Sequence, residues 1–271
     1  LGQKIYTNIT FENLKYLMKI ILITQNEPFF LAKNLRYLYE ILPKEVSIEG
    51  VILYEPSPYG KKQSLLQKSI KTLSIFGINF FFYYSIKFLL SKLDDNLNVE
   101  KTIQKLGIKI IKLNKSINHK DSLKLIKSYK PSLLVSILGS EIFKESLIKL
   151  APYGCINLHS SLLPKYRGLM PTFWVLKNKE KESGVSVFFM DEGIDSGPII
   201  VQKKFNIGKI SHKNLIKKTK RLGMEAIAEA IEKIKNDEIN LIPNDNNEKS
   251  YYSFPERFNV KEFLKGGNTF Y

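Results

Sequence analysis

Apolar runs of strand length alternate along this chain with longer amphipathic segments. The runs predicted to be strands are Lys19–Thr24, Ile48–Tyr54, Lys109–Leu113, Leu133–Leu138, Cys155–His159, Val185–Met190 and Ile199–Phe205. The segments predicted to be helices are Phe29–Ile41, Ser122–Tyr129, Glu141–Leu150 and a long helix from about Ser211 to Asn236, with Ser211 as its N-cap. This alternation predicts an α/β fold with a mostly parallel, Rossmann-like central sheet, whose ligands gather at the carboxyl ends of the strands.

The same pattern divides the chain into three parts. Residues 1–17 precede the strand-like sequence that begins at Met18, and we interpret them as an extension without the features of a secretory signal. Residues 18–240 form the predicted domain, which contains a helical insertion at 60–95. Residues 241–271 form a short tail that begins with a linker-like, asparagine-rich stretch, and its aromatic residues are expected to pack back onto the domain.

Residues 73–90, within the insertion, form an apolar run that reaches about the length of a membrane-span candidate. Asn79 and Lys87 interrupt the run, Gly77 weakens it and lysines flank it, which together favour a pair of amphipathic helices. Such a pair could pack over the sheet or at a homodimer interface, or it could contact a membrane surface. A true membrane span is the least favoured interpretation.

Composition limits the classes of chemistry. A hydrophobic fraction of 44% and a charged fraction of 25% are ordinary for a globular protein. The single cysteine, Cys155, excludes an internal disulfide and fits a reducing cytoplasm, which is the expected location. The three histidines, His119, His159 and His212, show no metal-ligand spacing, so the sequence predicts no metal site.

The formal net charge of +16 raises the question of nucleic-acid binding, because basic surfaces attract phosphates over long distances. The excess is nearly all lysine, spread along the whole chain among isoleucine and asparagine. That distribution favours compositional drift toward A/T-rich codons over a dedicated binding surface. A small substrate that bears phosphate would also suit a basic cleft.

One compact block of the sequence carries the candidate chemistry. Asn157 and His159 lie two residues apart at the end of a predicted strand, so their side chains point to the same side. A Ser-Leu-Leu-Pro turn at 161–164 follows, and an acidic, glycine-rich loop spans 191–197. An amide, an imidazole and a carboxylate that meet in one cleft can stabilise an oxyanion and manage one proton near neutral pH, which indicates acyl transfer without a covalent nucleophile.

This block closely resembles the catalytic core of the formyltransferases that use 10-formyltetrahydrofolate. Their pattern is Asn-x-His ahead of a Ser-Leu-Leu-Pro loop, with an aspartate in a later Gly-x-Asp-x-Gly loop, and here Gly193 to Gly197 match that loop. The resemblance is strongest over roughly residues 130–205. It implies a Rossmann-like formyltransferase fold and an N-formyltransferase with N10-formyltetrahydrofolate as cosubstrate and no metal.

The resemblance also implies roles for individual residues. Asn157 and His159 would stabilise the oxyanion, His159 would assist proton transfer, and Asp195 would set the charge of His159 and draw a water into the proton path. The predicted folate-binding residues are Ile137, Leu138, Gly139, Ser161, Leu162, Leu163, Pro164, Asp191 and Gly193, although Asp191 could instead stabilise the loop. The candidates for substrate binding are Tyr166 and Arg167, the latter as a phosphate or carboxylate clamp or equally as part of a structural salt bridge.

The acceptor amine is a separate question. Methionyl-tRNA formyltransferases carry a further barrel-like domain, and too few residues follow the last predicted strand here for such a barrel, which argues against tRNA. The insertion and the aromatic tail favour a nucleotide-linked amino sugar, with dTDP or UDP as the nucleotide. Initiator Met-tRNA is the alternative, and a non-catalytic folate-binding or membrane-associated scaffold is a second one.

The turn after the first predicted strand bears on the cofactor. Gln25-Asn26-Glu27-Pro28 occupies the position where a dinucleotide-binding fold, or a glycinamide ribonucleotide transformylase, has a glycine-rich turn. A dinucleotide cofactor is therefore disfavoured. The turn could bind a substrate, but a cap of the following helix is the favoured interpretation.

Overall fold

The computed structural model describes residues 17–56, 64–139 and 141–271. The predicted extension, apart from Leu17, and positions 60–63 of the predicted insertion lie outside these residues. The described strands are β1 (Met18–Gln25), β2 (Val46–Tyr54), β3 (Ile110–Ile111), β4 (Leu133–Ile137), β5 (Cys155–His159), β6 (Arg167–Gly168), β7 (Glu182–Phe189), β8 (Ile199–Asn206) and β9 (Tyr251–Tyr252). The described α-helices are α1 (Leu31–Ile41), α2 (Leu65–Phe76), α3 (Ile78–Leu93), α4 (Val99–Lys105), α5 (Lys120–Ser128), α6 (Glu145–Ile148), α7 (Pro171–Lys177), α8 (His212–Lys235) and α9 (Arg257–Lys265).

Seven strands form the central sheet in the order β3-β2-β1-β4-β5-β7-β8. The first five are parallel, and β7 and β8 run antiparallel, so the prediction of a mostly parallel α/β sheet is confirmed. Asn157 of β5 pairs with Ser136 of β4, and His159 pairs with Ser186 of β7. The carboxyl ends of β4 and β5 therefore lie side by side at one edge of the sheet.

Both faces of the sheet are covered. Alternate residues of β1 show this division, since Ile20 and Leu22 pack on the face that α1 and α8 cover, whereas Ile21 and Ile23 pack on the face that α5 and α6 cover. Because helices close both faces of such a sheet, a ligand has to approach the edge formed by the strand ends. In the turn after β1, the Glu27 carboxylate accepts hydrogen bonds from the backbone N–H groups of Phe29, Phe30 and Leu31. These N–H groups are therefore not free to bind a phosphate. This confirms the helix-cap interpretation.

Two predicted elements are shorter than expected. The strand Lys109–Leu113 is reduced to β3. The helix Glu141–Leu150 is reduced to α6, because the residues before it bind the loop that precedes α5: the Lys144 N–H donates to the Asn118 side-chain oxygen, and Glu141 accepts from the Ile117 N–H. The short helices α4, α7 and α9 were not predicted, whereas α8 and its Ser211 cap are confirmed.

The insertion is a pair of helices, as predicted, but the pair begins earlier than residue 73. Ser64 caps α2 in a reciprocal capping box with Gln67, and Gly77, at φ 84°, joins α2 to α3. None of the helices in the described part of the chain is long and apolar enough to cross a membrane.

The tail folds back onto the domain. Strand β9 pairs with β6 in a small parallel sheet, and α9 packs against α2 and α7. The Tyr252 ring stacks on Tyr166 and Trp174, and Phe254 packs edge-on against Phe76. The expectation for the tail aromatics is thus confirmed for Tyr252 and Phe254, whereas Tyr251 stays 56% exposed.

Candidate active site

Strand β5 has the predicted bounds, Cys155 to His159, and carries the two residues at the centre of the site. Leu158 points to the face of the sheet where α8 packs, close to Gly223. Cys155 packs in the core on the opposite face. Because side chains alternate along a strand, Asn157 and His159 share the side of Cys155 and stand at its open, carboxyl end.

His159 is buried and has two polar neighbours. Its Nε2 lies 2.7 Å from the backbone carbonyl oxygen of Tyr166, and its Nδ1 lies 3.6 Å from Oδ2 of Asp195. Since a carbonyl oxygen can only accept, Nε2 carries a proton. A neutral ring then presents the lone pair of Nδ1 to the carboxylate, so Nδ1 is the atom that can gain and lose a proton. The distance of 3.6 Å is longer than a direct hydrogen bond and leaves the contact electrostatic.

The backbone around Asp195 holds its carboxylate toward the imidazole. Oδ2 of Asp195 accepts a hydrogen bond of 2.9 Å from the Gly168 N–H. Asp195 itself adopts φ 49°, a left-handed conformation that aspartate tolerates better than most residues. Gly168, at φ 95°, leaves no room for a side chain, because a Cβ there would lie 2.3 Å from the carbonyl oxygen of Tyr252.

The rest of the acidic loop is braced by its own side chains. Asp191 Oδ1 accepts from the Gly193 N–H at 3.0 Å and from the Ser196 hydroxyl at 2.6 Å. A Cβ at Gly197 would lie 1.8 Å from the Phe189 carbonyl oxygen, so the loop needs glycine at that point. Asp191 therefore has the loop-stabilising role stated above as an alternative, and its contact with folate stays a prediction.

The Ser-Leu-Leu-Pro turn is held by hydrogen bonds to side chains of β7 and β8. The Ser186 hydroxyl donates to the Ser161 carbonyl and accepts from the Leu163 N–H, and the Gln202 amide donates to the Leu163 carbonyl. The Leu163–Pro164 peptide bond is cis. Leu162 lies against β7, since a Cβ at Gly184 would meet its methyl group at 2.5 Å. The turn thus stands rigidly beside His159.

The predicted segment Ile137-Leu138-Gly139 lies at the carboxyl end of β4, next to the carboxyl end of β5. Strand β4 ends at Ile137, and Leu138 has φ 63°. Gly139 passes close to the strand, because a Cβ there would lie 2.9 Å from the Ser136 hydroxyl oxygen. The structure thus brings this segment, which follows β4, and the 161–164 turn, which follows β5, to the same edge of the sheet.

The two predicted substrate-binding residues have internal partners. The Arg167 guanidinium is buried and donates to the Asn246 side-chain oxygen at 2.7 Å and to the Asn244 side-chain oxygen at 2.9 Å, whereas its Nε has no partner among the described residues. The Tyr166 hydroxyl donates to Glu180, at 2.6 Å. The partners of Arg167 are amides, not the carboxylate that a salt bridge requires. Arg167 holds the tail in place, and ligand binding by either residue stays a prediction.

Asn244 is a site residue that the sequence reasoning missed. Its side-chain amide donates to the carbonyl oxygens of Asp195 and Gly197, both at 2.9 Å. It lies in the asparagine-rich stretch that was interpreted as a linker, and no local signal distinguishes it from its neighbours. Through Asn244 the tail fixes the loop that carries Asp195.

The remaining cysteine and histidines lie away from this chemistry. Cys155 is buried, and burial raises the pKa of its thiol, which confirms it as a small core residue. His119 caps α5, and His212 is buried among aromatic rings beside Thr172. In the described part of the chain, no group of three or more His, Cys, Asp or Glu residues could hold a metal ion.

The assembled residues can perform one kind of chemistry. An amide and an imidazole directed to the same side of a strand end can donate hydrogen bonds to an oxyanion, and the adjacent carboxylate can orient the imidazole. The nearby Ser161 hydroxyl donates to the Lys165 carbonyl oxygen at 3.0 Å, so its proton is not directed to the imidazole. The geometry therefore fits direct acyl transfer between two bound substrates.

Comparison with known proteins identifies the family to which the sequence is similar. A family model described as formyl transferase matches residues 89–231, more than half of the chain. The chain is 30% identical over 235 residues to the methionyl-tRNA formyltransferase of Kosmotoga olearia, a match that covers 86% of this chain and 64% of that protein. The chain thus spans less than two thirds of the length of that relative.

Solved structures share the fold at lower identity. The N-formyltransferase from Helicobacter canadensis, in complex with folinic acid and dTDP-3-aminofucose, is 19% identical with a TM-score of 0.53, over 91% of this chain and 79% of that one. Glycinamide ribonucleotide transformylase 1 from Symbiobacterium toebii is 16% identical with a TM-score of 0.59, over 86% of this chain and 96% of that one.

Proposed function

Because this chain belongs to the formyl transferase family, we propose that it transfers a formyl group from N10-formyltetrahydrofolate to a primary amine. The observation that carries the proposal is the convergence of Asn157, His159 and Asp195 at the carboxyl end of β5. In this reaction the amine nitrogen bonds to the formyl carbon, and the bond from that carbon to N10 breaks. One proton passes from the amine to N10, so the products are a formamide and tetrahydrofolate.

Asn157 and His159 would act on the formyl oxygen. Negative charge develops on that oxygen as the amine attacks, and hydrogen-bond donors placed beforehand lower the barrier most. The Asn157 side chain makes no hydrogen bond to another described residue, so its amide is available as a donor. Because the Tyr166 carbonyl holds the proton of His159 Nε2, the imidazole would face the reaction through Nδ1.

Asp195 would control the charge of that imidazole. With a proton on Nδ1 the ring would donate to the oxyanion and later return the proton, and the carboxylate would orient that N–H. The separation of 3.6 Å suits an ion pair that tightens when a substrate is bound, or a bridge through one water on the proton path. The hydrogen bond from Gly168 keeps the carboxylate in position for either arrangement.

Folate would bind between the segment that follows β4 and the turn that follows β5. The 137–139 segment and the 161–164 turn would supply backbone groups and apolar contacts to the pterin, and the loop that contains Asp191 and Gly193 would close over it. The rigidity of the turn, held by Ser186 and Gln202, supports this assignment, since a preformed site loses little entropy on binding.

The acceptor that we propose is a nucleotide-linked amino sugar, with dTDP or UDP as the nucleotide. The H. canadensis enzyme, which shares the fold, binds dTDP-3-aminofucose together with folinic acid. In this chain Tyr251 lies over Gly168, since a Cβ there would meet its ring at 2.8 Å, and it is exposed beside the Asp195 loop. An exposed ring in that position can stack on a sugar or a base.

Initiator Met-tRNA is the second candidate acceptor. It is favoured by the identity of 30% with a methionyl-tRNA formyltransferase and by the net charge of +16, which suits a polyanion. Both candidates share the same formyl donor and the same three catalytic residues, so only a direct comparison of acceptors distinguishes them.

The deciding experiment measures tetrahydrofolate release from N10-formyltetrahydrofolate with a panel of dTDP-4-amino, dTDP-3-amino and UDP-4-amino sugars and with charged initiator tRNA. Turnover with one sugar nucleotide supports the proposal. Turnover with tRNA alone, persisting above roughly 150 mM salt, where nonspecific phosphate binding weakens steeply, would establish the second candidate. Folate binding without turnover on any amine would favour the non-catalytic scaffold.

A further inference from the structure

The helical pair formed by α2, Gly77 and α3, here called the hairpin, exposes a continuous series of large apolar side chains. These residues are between 39% and 83% exposed and are Leu65, Leu66, Ile70, Leu73, Ile78, Phe82, Ile86, Leu89, Leu90 and Leu93. Isolated exposed apolar residues are common on protein surfaces, but contiguous patches mark a contact with a partner or a lipid surface. We call this set the apolar stripe, and we expect a partner or a lipid surface to cover it.

The spacing along α3 shows that its part of the stripe is one side of an amphipathic helix. Ile78, Phe82, Ile86, Leu89 and Leu93 recur every three or four residues, which places them on one side. At 1.5 Å per residue, the 16 residues of α3 give this side a length of about 24 Å.

The opposite side of α3 is packed on the domain. Phe80 and Tyr84 stack on each other, Phe80 also contacts Phe270 edge-on, and Tyr84 contacts Phe29. The Tyr83 hydroxyl accepts from Lys213 of α8. The hairpin is therefore anchored by one side to the body of the protein, and the stripe faces away from it.

Charge identifies the kind of occupant. Between Leu65 and Leu93 the chain has four lysines and no aspartate or glutamate, and two more lysines, at positions 61 and 62, precede α2 in the sequence. A groove of about 290 Å³ at the Gly77 turn adjoins the stripe, and Arg257 and Lys261 of α9 line it. Asp94 and Asp95 follow α3, but α2 and α3 themselves carry lysines and no carboxylate. An apolar surface on such cationic helices fits the acyl region and the anionic headgroups of a membrane.

A second copy of this chain is a less suitable occupant. Two identical stripes that face each other would bring together two sets of lysines without compensating carboxylates, in proteins that each carry a net charge of +16. Such a pair would have to overcome this repulsion, whereas an anionic lipid surface is attracted by the same charges.

We propose that the hairpin is a peripheral membrane anchor, which lies in the plane of an anionic bilayer with the apolar stripe inserted at the headgroup boundary. No described helix can span the bilayer, so the contact is made at the surface. The proposal is independent of the acceptor amine, because the stripe and the catalytic residues are different surfaces of the molecule.

Vesicle flotation tests the proposal with the full chain. Vesicles of phosphatidylcholine alone are compared with vesicles that contain about one-third phosphatidylglycerol, and we expect at least about tenfold stronger binding to the anionic vesicles. The double variant Phe82→Ser/Ile86→Ser should weaken that binding at least about tenfold. The matched control Tyr39→Ser/Ile142→Ser removes two exposed apolar side chains outside the hairpin, which are 46% and 77% exposed, and should bind as the unmutated protein does.

A labelling experiment locates the contact. The single native cysteine, Cys155, is buried, so an environment-sensitive thiol dye attached to Phe82→Cys reports on the stripe alone. Its emission should shift to the blue on addition of anionic vesicles, while the same dye on Ile142→Cys should not shift. Circular dichroism of each variant checks that the fold is retained.

Three results would overturn the proposal. The first is no binding of the unmutated protein to anionic vesicles. The second is binding that the Phe82→Ser/Ile86→Ser variant retains. The third is light scattering that shows a dimer without lipid which the same variant converts to a monomer, because a second copy would then cover the stripe.

Discussion

The side-chain amide of Asn244 donates a hydrogen bond to the main-chain carbonyl oxygen of Asp195, across 49 residues of sequence. The same amide reaches the Gly197 carbonyl, so both ends of the Asp195-Ser196-Gly197 turn are held by one tail residue. The position of the carboxylate that faces His159 thus depends on a side chain outside the sequence motif.

Asn244→Asp should separate the two hydrogen bonds that this side chain donates from the one that it accepts from Arg167. The aspartate keeps an acceptor for Arg167 but cannot donate to the two carbonyls, so we expect kcat to fall about tenfold, with a smaller change in KM, since hydrogen bonds of ~1 kcal/mol each are lost. The control Asn246→Ala removes only a bond to Arg167 and should change kcat less than about threefold. Equal losses in both variants would mean that the tail matters for stability alone.

His159→Ala and Asp195→Asn test the proton path. Each should lower kcat by at least about a hundredfold while folate affinity, measured by titration calorimetry, changes little, because these groups act on charge that develops in the transition state. Glu192→Gln removes a carboxylate from the same loop without removing the one beside His159 and should retain most of the activity. Full activity of Asp195→Asn would exclude a role for this charge.

Gly168→Ala should damage both stability and catalysis. The added Cβ meets the Tyr252 carbonyl at 2.3 Å in a left-handed conformation, so we expect a loss of at least about 3 kcal/mol in the free energy of unfolding, measured with urea. Gly208→Ala is the matched control, because Gly208 has φ 62° with open space around it, and it should lose only the conformational strain of about 1 kcal/mol.

His212 should make the fold sensitive to mild acid. Burial lowers the pKa of His212 from 6.5 to about 4, so below pH 6.5 the unfolded chain takes up a proton that the native chain does not. Its contribution to stability is complete above pH 6.5 and is lost as the pH falls toward 4, by up to about 3 kcal/mol. Urea unfolding over this range should show a shallower pH dependence for His212→Phe than for His119→Gln, and identical slopes would contradict the assignment.

The catalytic strand was predictable because its signal is local. Asn157 and His159 are fixed by the two-residue period of β5, and the long amphipathic repeat of α8 likewise determines its ends. The turn Gln25-Asn26-Glu27-Pro28 was correctly favoured as a helix cap for the same reason, since the partners of Glu27 follow it directly in the chain.

The missing parts of the site depend on contacts between distant residues. The Tyr166 carbonyl oxygen lies 2.7 Å from His159 Nε2, and Tyr166 has φ 62°, a conformation that its side chain does not predict. Arg167 was a candidate anion clamp by its chemistry, and only the folded tail reveals that asparagines occupy its guanidinium. The bounds of a short helix such as α6 are hard to predict for a related reason, because hydrogen bonds to distant residues replace its expected first turns.

The return of the tail onto the Asp195 loop also has a consequence for synthesis. A ribosome makes the chain from its amino terminus, so Asn157, His159 and Asp195 have all emerged and can fold before residue 244 is available. Until then the loop lacks the amide that holds its two carbonyls, and Arg167 lacks its asparagines. The nascent protein would therefore contain every motif residue, yet the Asp195 loop would reach its final position only when residues 241–252 dock.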